Sequence, residues 1–162
     1  MISIQFARGQ GIGGKLIEWF DHGRYAHVDV VMEDGTLLGA RNDSMESDGV
    51  QIPAGVRIRP RSYLDGVEKL QVYIPVPRPV SEKFYSFCLA QVGKDYDTTA
   101  IAGFVAGRDW SEPDSWFCSE LVAAGLMESG FIHKLAAPAN KIAPDDLLLV
   151  VSAFVDIHAH NI

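Results

Sequence analysis

The stretch that most constrains the fold is 114–130, Asp-Ser-Trp-Phe-Cys-Ser-Glu-Leu-Val-Ala-Ala-Gly-Leu-Met-Glu-Ser-Gly. Between Cys118 and Glu128 only Ser119 and Glu120 are polar, so a helix here is apolar almost all round and belongs in the interior. Asp114 or Ser115 is positioned to cap its start, and Gly130 supplies the left-handed residue that ends a helix. Ala123, Ala124 and Gly125 leave room for a sheet to pack close. Cys118 then falls in the first turn. A thiol in that position meets the positive end of the helix dipole and N–H groups without helical partners, an environment that favours thiolate chemistry.

The rest of the chain must supply what that helix packs against. With 162 residues, 48% of them hydrophobic, it forms one domain over 1–162 with a sizeable core. A formal charge of −7 argues against a nucleic-acid partner, because phosphate binding wants clustered lysine and arginine. Arg57, Arg59 and Arg61 form the one dense basic run, and their alternation reads as the exposed side of a strand. Cys88 and Cys118 are too few for a disulfide framework. No run reaches the ~18 apolar residues of a membrane span, and the N-terminus alternates like a strand and lacks the features of a secretory signal. The expectation is a cytoplasmic protein without integral membrane association.

Alternation and turn residues place the elements. Strands are expected at 2–6, 26–32, 36–41, 50–52, 56–59 and 70–75, and a closing strand at 147–157. Glycines at 9–14 lead into a short helix at 15–21; Lys15 is followed by Leu16, not by the Ser or Thr of a phosphate loop. Ser81 opens an amphipathic helix over 82–92 whose core face includes Cys88, read as structural. Residues 93–97 form a turn, and a small apolar helix follows through Ile101, Phe104 and Val105 to Gly107. Pro138 and Pro144 punctuate a loop, and Asp145 caps a short turn. Strands followed by helices and one last strand make an α+β domain, an antiparallel sheet or open barrel packed on the buried helix that carries Cys118.

In the strand at 26–32, His27, Asp29 and Val31 share one face, and Ala26, Val28, Val30 and Met32 share the other. Asp34-Gly35 read as a two-residue turn pairs Glu33 with Thr36, Val31 with Leu38, Asp29 with Ala40 and His27 with Asn42. Opposed residues touch, so Asn42 is expected against the His27 ring; a one-residue slip would bring Arg41 or Asp43 to that face instead. A cysteine hydrolase needs a thiolate, an imidazole to pass the proton and a polar group to orient that imidazole. Cys118, His27 and Asn42 offer those three. The remaining histidines fit less well: His22 sits in a loop, His133 follows a helix, and His158 with His160 is a terminal pair without further ligands nearby in sequence.

Tyr25-Ala26-His27-Val28, a hairpin, Gly93-x-x-Tyr96-Asp97 and then Trp116-Phe117-Cys118-Ser119-Glu120-Leu121-Val122 together resemble the circularly permuted branch of the NlpC/P60 papain-like superfamily, over residues 2–130. In that branch the histidine strand precedes the cysteine helix. The resemblance implies a permuted papain-like fold, Cys118 as nucleophile, His27 as base, and Tyr96 near the cysteine with its hydroxyl toward substrate. Members often carry a third polar residue on the strand after the histidine, where this chain has Leu37-Leu38-Gly39-Ala40-Arg41; Asn42 takes the third role here from the register count alone. The expected function is amide hydrolysis, with peptides, murein peptides first among them, as substrates and with no metal or organic cofactor. Acyl transfer or lipid-ester cleavage by the same pair stands as an alternative, and so does a non-catalytic binding or structural module such as a phage particle carries.

Overall fold

The computed structural model describes residues 1–8, 24–47, 49–98 and 114–155. The glycine-rich segment 9–14, the helices expected at 15–21 and through 101–107, His22, His158 and His160 lie outside them. Among the described residues nine strands run in chain order: β1 (Ile2–Ala7), β2 (His27–Val31), β3 (Leu37–Arg41), β4 (Met45–Ser47), β5 (Val50–Ile52), β6 (Gly55–Arg59), β7 (Lys69–Ile74), β8 (Asp95–Tyr96) and β9 (Ser115–Trp116). Among the described residues there are three α-helices, α1 (Arg78–Ala90), α2 (Cys118–Glu128) and α3 (Pro144–Ser152), and two 3-10 turns, Arg61–Leu64 and Ala139–Lys141. The domain is α+β. Five strands form one antiparallel sheet in the order β6-β3-β2-β1-β7, β4 and β5 make a separate hairpin, and β8 pairs in parallel with β9.

The three central strands, β1, β2 and β3, are buried along their whole length, so both faces of the sheet are covered. On the first face Ile2, Ile4, Phe6, Val28, Val30, Leu38 and Ala40 join Phe84, Cys88, Leu121, Val122 and Leu126 of α1 and α2 in the main core. The second face is mixed. Ala7, Val31 and Leu37 meet Leu64 and Tyr63 from the turn at Arg61–Leu64, and among them run polar side chains: Gln5 opposite Asp29, Ala7 opposite His27, Leu37 opposite Arg59.

Arg59 corrects the reading of the basic run as an exposed strand face. It is 1% exposed, with Nη1 donating to the Gly39 carbonyl at 2.9 Å and Nη2 to the Gly55 carbonyl at 3.1 Å, while its neighbour Ile58 is the exposed residue. Strand β6 lies at the sheet edge, where an arginine can fold back and place its two terminal nitrogens on main-chain carbonyls.

α1 begins three residues before the expected Ser81. Pro77 is its extended N-cap, and Pro79 lies in the first turn, where a missing N–H costs nothing because that N–H has no helical acceptor. Ser81 instead donates its hydroxyl to the Arg78 carbonyl at 2.9 Å. α2 is capped by neither Asp114 nor Ser115. Phe117 is the N-cap, its N–H donating to Glu120 Oε2 at 3.3 Å, while Ser115 pairs with Asp95 and Asp114 bonds Lys94. Gly130 closes the helix at φ +80°. Gly125 of α2 serves a different neighbour from the one expected. A Cβ on Gly125 would stand 3.0 Å from Cys88 Sγ and Phe84 Cε2, so the close approach is to α1 and not to the sheet.

The closing strand expected at 147–157 is a helix as far as Ser152. Pro144 and the acids Asp145 and Asp146 form a helix first turn, with Asp146 accepting from the Ala143 N–H at 3.1 Å. Leu147 and Val151, four apart, are its core contacts, while Leu149 is 74% exposed. An unbroken apolar run has no period of its own, and the single covered face decides for helix. Among the described residues no helix is long and apolar enough to cross a membrane.

Candidate active site

His27 is the first residue of β2 and Cys118 the first of α2, and each is 3% exposed. The helix packs against β2 and β3, and the Cys118 side chain is among the groups that favour the charged form of the ring. The ring is held by Asp29, two residues along the same strand and so on the same face. The distance from His27 Nε2 to Asp29 Oδ1 is 2.8 Å. Tyr63, from the 3-10 turn, places its hydroxyl oxygen 3.2 Å from Nε2 and donates a short hydrogen bond to Asp29 Oδ2.

Asn42 does not take the orienting place. The hairpin register is Val30 with Leu38 and Val31 with Leu37, one residue away from the expected pairing. The turn is the cause. Glu33, Asp34 and Gly35 form a three-residue loop, closed by Met32 N–H to Thr36 O at 2.9 Å and Gly35 N–H to Met32 O at 3.0 Å, with Gly35 at φ +83°. Continued down the ladder, this register sets Gly39 against Asp29 and Arg41 against His27, and leaves Asn42 exposed. Arg41 is buried, bonds Asp43 through both Nε and Nη2 at 2.8 and 2.7 Å, and lies over the Tyr63 ring with 5.0 Å from guanidinium carbon to centroid.

Gly39 lets Asp29 sit where it does. A Cβ built on it would fall 1.8 Å from Asp29 Oδ1, so the carboxylate occupies the space of the missing side chain. Neither Asp29 nor Tyr63 nor Gly39 was among the expected site residues. Asp29 had a visible signal, sharing the face of His27 at i+2; Gly39 had the weaker one of a glycine in mid-strand.

The electrostatics follow from burial with compensation. Burial alone favours a neutral His27 ring, but the Asp29 carboxylate and the Cys118 thiol, each by charge and by hydrogen bond, raise it from 6.5 to about 9. Burial works against ionised Asp29 as well. The His27 charge and hydrogen bond, the Tyr63 hydroxyl and the Arg59 guanidinium outweigh it and hold the carboxyl below its ordinary value. Tyr96 pairs with Trp116, two residues before Cys118, and burial followed by the Cys118 charge pushes its hydroxyl well above 10, so it stays a neutral O–H. Cys88, fully buried in mid-helix, is pushed up to about 12 by burial.

These shifts set a pH window for stability. A raised His27 stabilises the fold fully below its unfolded value of 6.5 and ceases to do so as pH rises through about 9; a depressed Asp29 stabilises it above 3.8 and ceases to do so as pH falls. Thermal melts should therefore show a decline between pH 6.5 and 9 that is missing in His27→Gln. Equal slopes in the two proteins over that range would show that His27 is not held as a cation.

A cavity of about 1000 Å³ lies apart from this pair, between α1, β7 and the β2–β3 hairpin, with Ser3, Gln71, Tyr73 and Tyr85 among its walls. It contains no nucleophile beside a base, so chemistry and not volume locates the candidate site at Cys118. His133 is exposed beyond α2. Compared with models of known protein families and with curated proteins, the sequence matches none.

Proposed function

We propose that this chain is a cysteine hydrolase of the permuted papain-like kind, cleaving an amide bond in a peptide. The observation that carries the reading is one buried imidazole with a carboxylate on Nε2 and a helix N-terminal thiol as its other partner. With Nε2–H committed to Asp29, Nδ1 is the nitrogen left for Cys118. The thiolate attacks the carbonyl carbon and the C–O π pair moves onto oxygen. The tetrahedral species collapses with loss of the C–N bond, and the leaving amine takes the Nδ1 proton of His27. Water then adds to the thioester, His27 accepts its proton, and the thiolate departs as the acid forms.

Asp29 remains a carboxylate throughout, fixing the ring and stabilising its cationic form. The Cys118 N–H, first in its helix, has no helical acceptor and is available to the oxyanion, with the neutral Tyr96 hydroxyl as a second donor close by. The module alternative drew its support from the missing polar group on the strand after the histidine; Asp29 supplies a buried acid from the histidine's own strand. Acyl transfer differs only in the acceptor that resolves the thioester.

The test is covalent capture. Incubation of the folded protein with p-nitrophenyl esters of short peptides and of fatty acids, followed by intact and digest mass spectrometry, should place an acyl group on Cys118 and none on Cys88. Absence of any Cys118 adduct with both donor classes would remove the enzymatic reading. A Cys118 adduct formed with the fatty ester and never with the peptide would move the assignment to lipid-ester chemistry.

A further inference from the structure

The two oxygens of Asp29 are held by different groups, Oδ1 by His27 and Oδ2 by Tyr63, and the residue that holds the second comes from a separate part of the fold. Tyr63 is delivered by the turn at Arg61–Leu64, which is fastened to the second face of the sheet at both ends. Leu64 is fully buried in the small apolar cluster with Ala7, Val31 and Leu37, and Arg61 Nη2 donates to Gln71 Oε1 at 2.9 Å and to Gln5 Oε1 at 3.3 Å. Arg41 covers the ring from β3. The hydroxyl thus reaches its position through tertiary anchors, independent of the strand that carries His27 and Asp29.

We propose that Tyr63 is a positioning residue that acts on His27 through Asp29, locking the carboxylate so that Oδ1 stays on the ring and presenting its own oxygen to the same ring nitrogen. The inference rests on the reading of His27 as the catalytic base. A carboxylate bonded through one oxygen can rotate about its side chain; one bonded through both to separately anchored partners cannot turn without giving up a bond in a buried site. The Tyr63 oxygen at 3.2 Å from Nε2 also faces the proton that the cationic ring carries there. Both effects favour imidazolium. The charged and titratable groups around the carboxylate are His27 from its own strand, Arg59 from β6, Arg41 from β3 and Tyr63 from the turn, and Cys118 from α2 adds to them at the ring. Of these, Tyr63 can lose its function by deletion of one atom with its packing intact.

The experiment is an NMR titration of the His27 ring in the full chain carrying Cys118→Ala, which takes out the contribution of the thiol. Tyr63→Phe keeps the aromatic ring under Arg41 and removes only the hydroxyl. The His27 midpoint should fall by about one unit, the size of a lost hydrogen bond to a charged pair. Asp29→Asn, a near-isostere that breaks the coupling from the other side, should lower it further, and the double variant should fall by clearly less than the sum of the two, exceeding Asp29→Asn only by the direct contact of the Tyr63 oxygen with the ring. A folded Tyr63→Phe with an unchanged or raised midpoint, or a double variant whose fall is the sum of the two, would overturn the proposal and leave Tyr63 a packing residue that affects melting alone. The titration needs no turnover. Its failure leaves the hydrolase reading standing, whereas a missing acyl adduct on Cys118 removes the hydrolase and leaves the coupling measurable.

Discussion

Cys118→Ala is expected to lower kcat by at least about 10³-fold on any substrate the protein turns over, His27→Gln to do nearly the same, and the double variant to lose little more, because nucleophile and base act as one unit. His27→Gln is preferred over His27→Ala for a physical reason. Alanine would leave the Asp29 carboxylate buried beside an empty space, and removing one partner of a buried charged pair costs about 3–5 kcal/mol, enough to confuse loss of chemistry with loss of fold. A glutamine amide can still donate to Asp29. Cys118→Ala removes a small buried group and should melt close to the parent, so its inactivity has no structural explanation. Independent, additive losses at the two positions, or turnover retained in Cys118→Ala, would remove the pair from the mechanism.

Much of this site could be read from the chain without coordinates, and the limits of that reading have identifiable causes. The alternation over 26–32 put His27 and Asp29 on one face and Val28 and Val30 on the other, as found. The apolar run after Cys118 put the cysteine in the first turn of a buried helix, and α2 starts at the cysteine itself. The hairpin was found in the right place with the wrong count. Asp-Gly serves a two-residue turn and equally the end of a three-residue loop, and here Thr36 settles the choice by donating both its N–H and its hydroxyl to Asp34 Oδ1, at 2.9 and 2.6 Å. That one residue moved Asn42 out to solvent. Looking across the ladder for a partner also hid the nearer one, Asp29, along the strand. Tyr63 and Arg59 were illegible for a different reason: whether the second face of a sheet is covered, and by what, depends on where a turn some thirty residues from His27 comes to rest. The same dependence made a strand of α3, since an apolar run shows its period only when one side is buried.

Gly39→Ala carries the other large expected effect, and it tests how the site is built. Gly39 is in mid-strand and is not among the residues with positive φ, so alanine would fit the backbone; space is what forbids it. The added Cβ would lie 1.8 Å from Asp29 Oδ1 and 3.0 Å from its carboxyl carbon, and Oδ1 is the atom bonded to His27. Either the carboxylate swings off the ring or β2 and β3 separate. Overpacking of this kind costs roughly 1–3 kcal/mol, a fall in melting temperature of about 5 °C in a chain of this size. The chemical effect should be larger: roughly 10²-fold or more in kcat, with the His27 midpoint moving from about 9 back toward 6.5, since the ring loses the group that orients it and supports its charge. Gly125→Ala is the matched comparison. It also forces an overlap, against Cys88 Sγ and Phe84 on α1, and should cost similar stability while leaving the His27 titration and the rate per folded molecule untouched. If Gly39→Ala behaves like Gly125→Ala in all three measurements, Asp29 is a packed acid beside a histidine and orients nothing. If only Gly39→Ala moves the titration and the rate together, the empty Cβ position on β3 is part of what makes His27 a base.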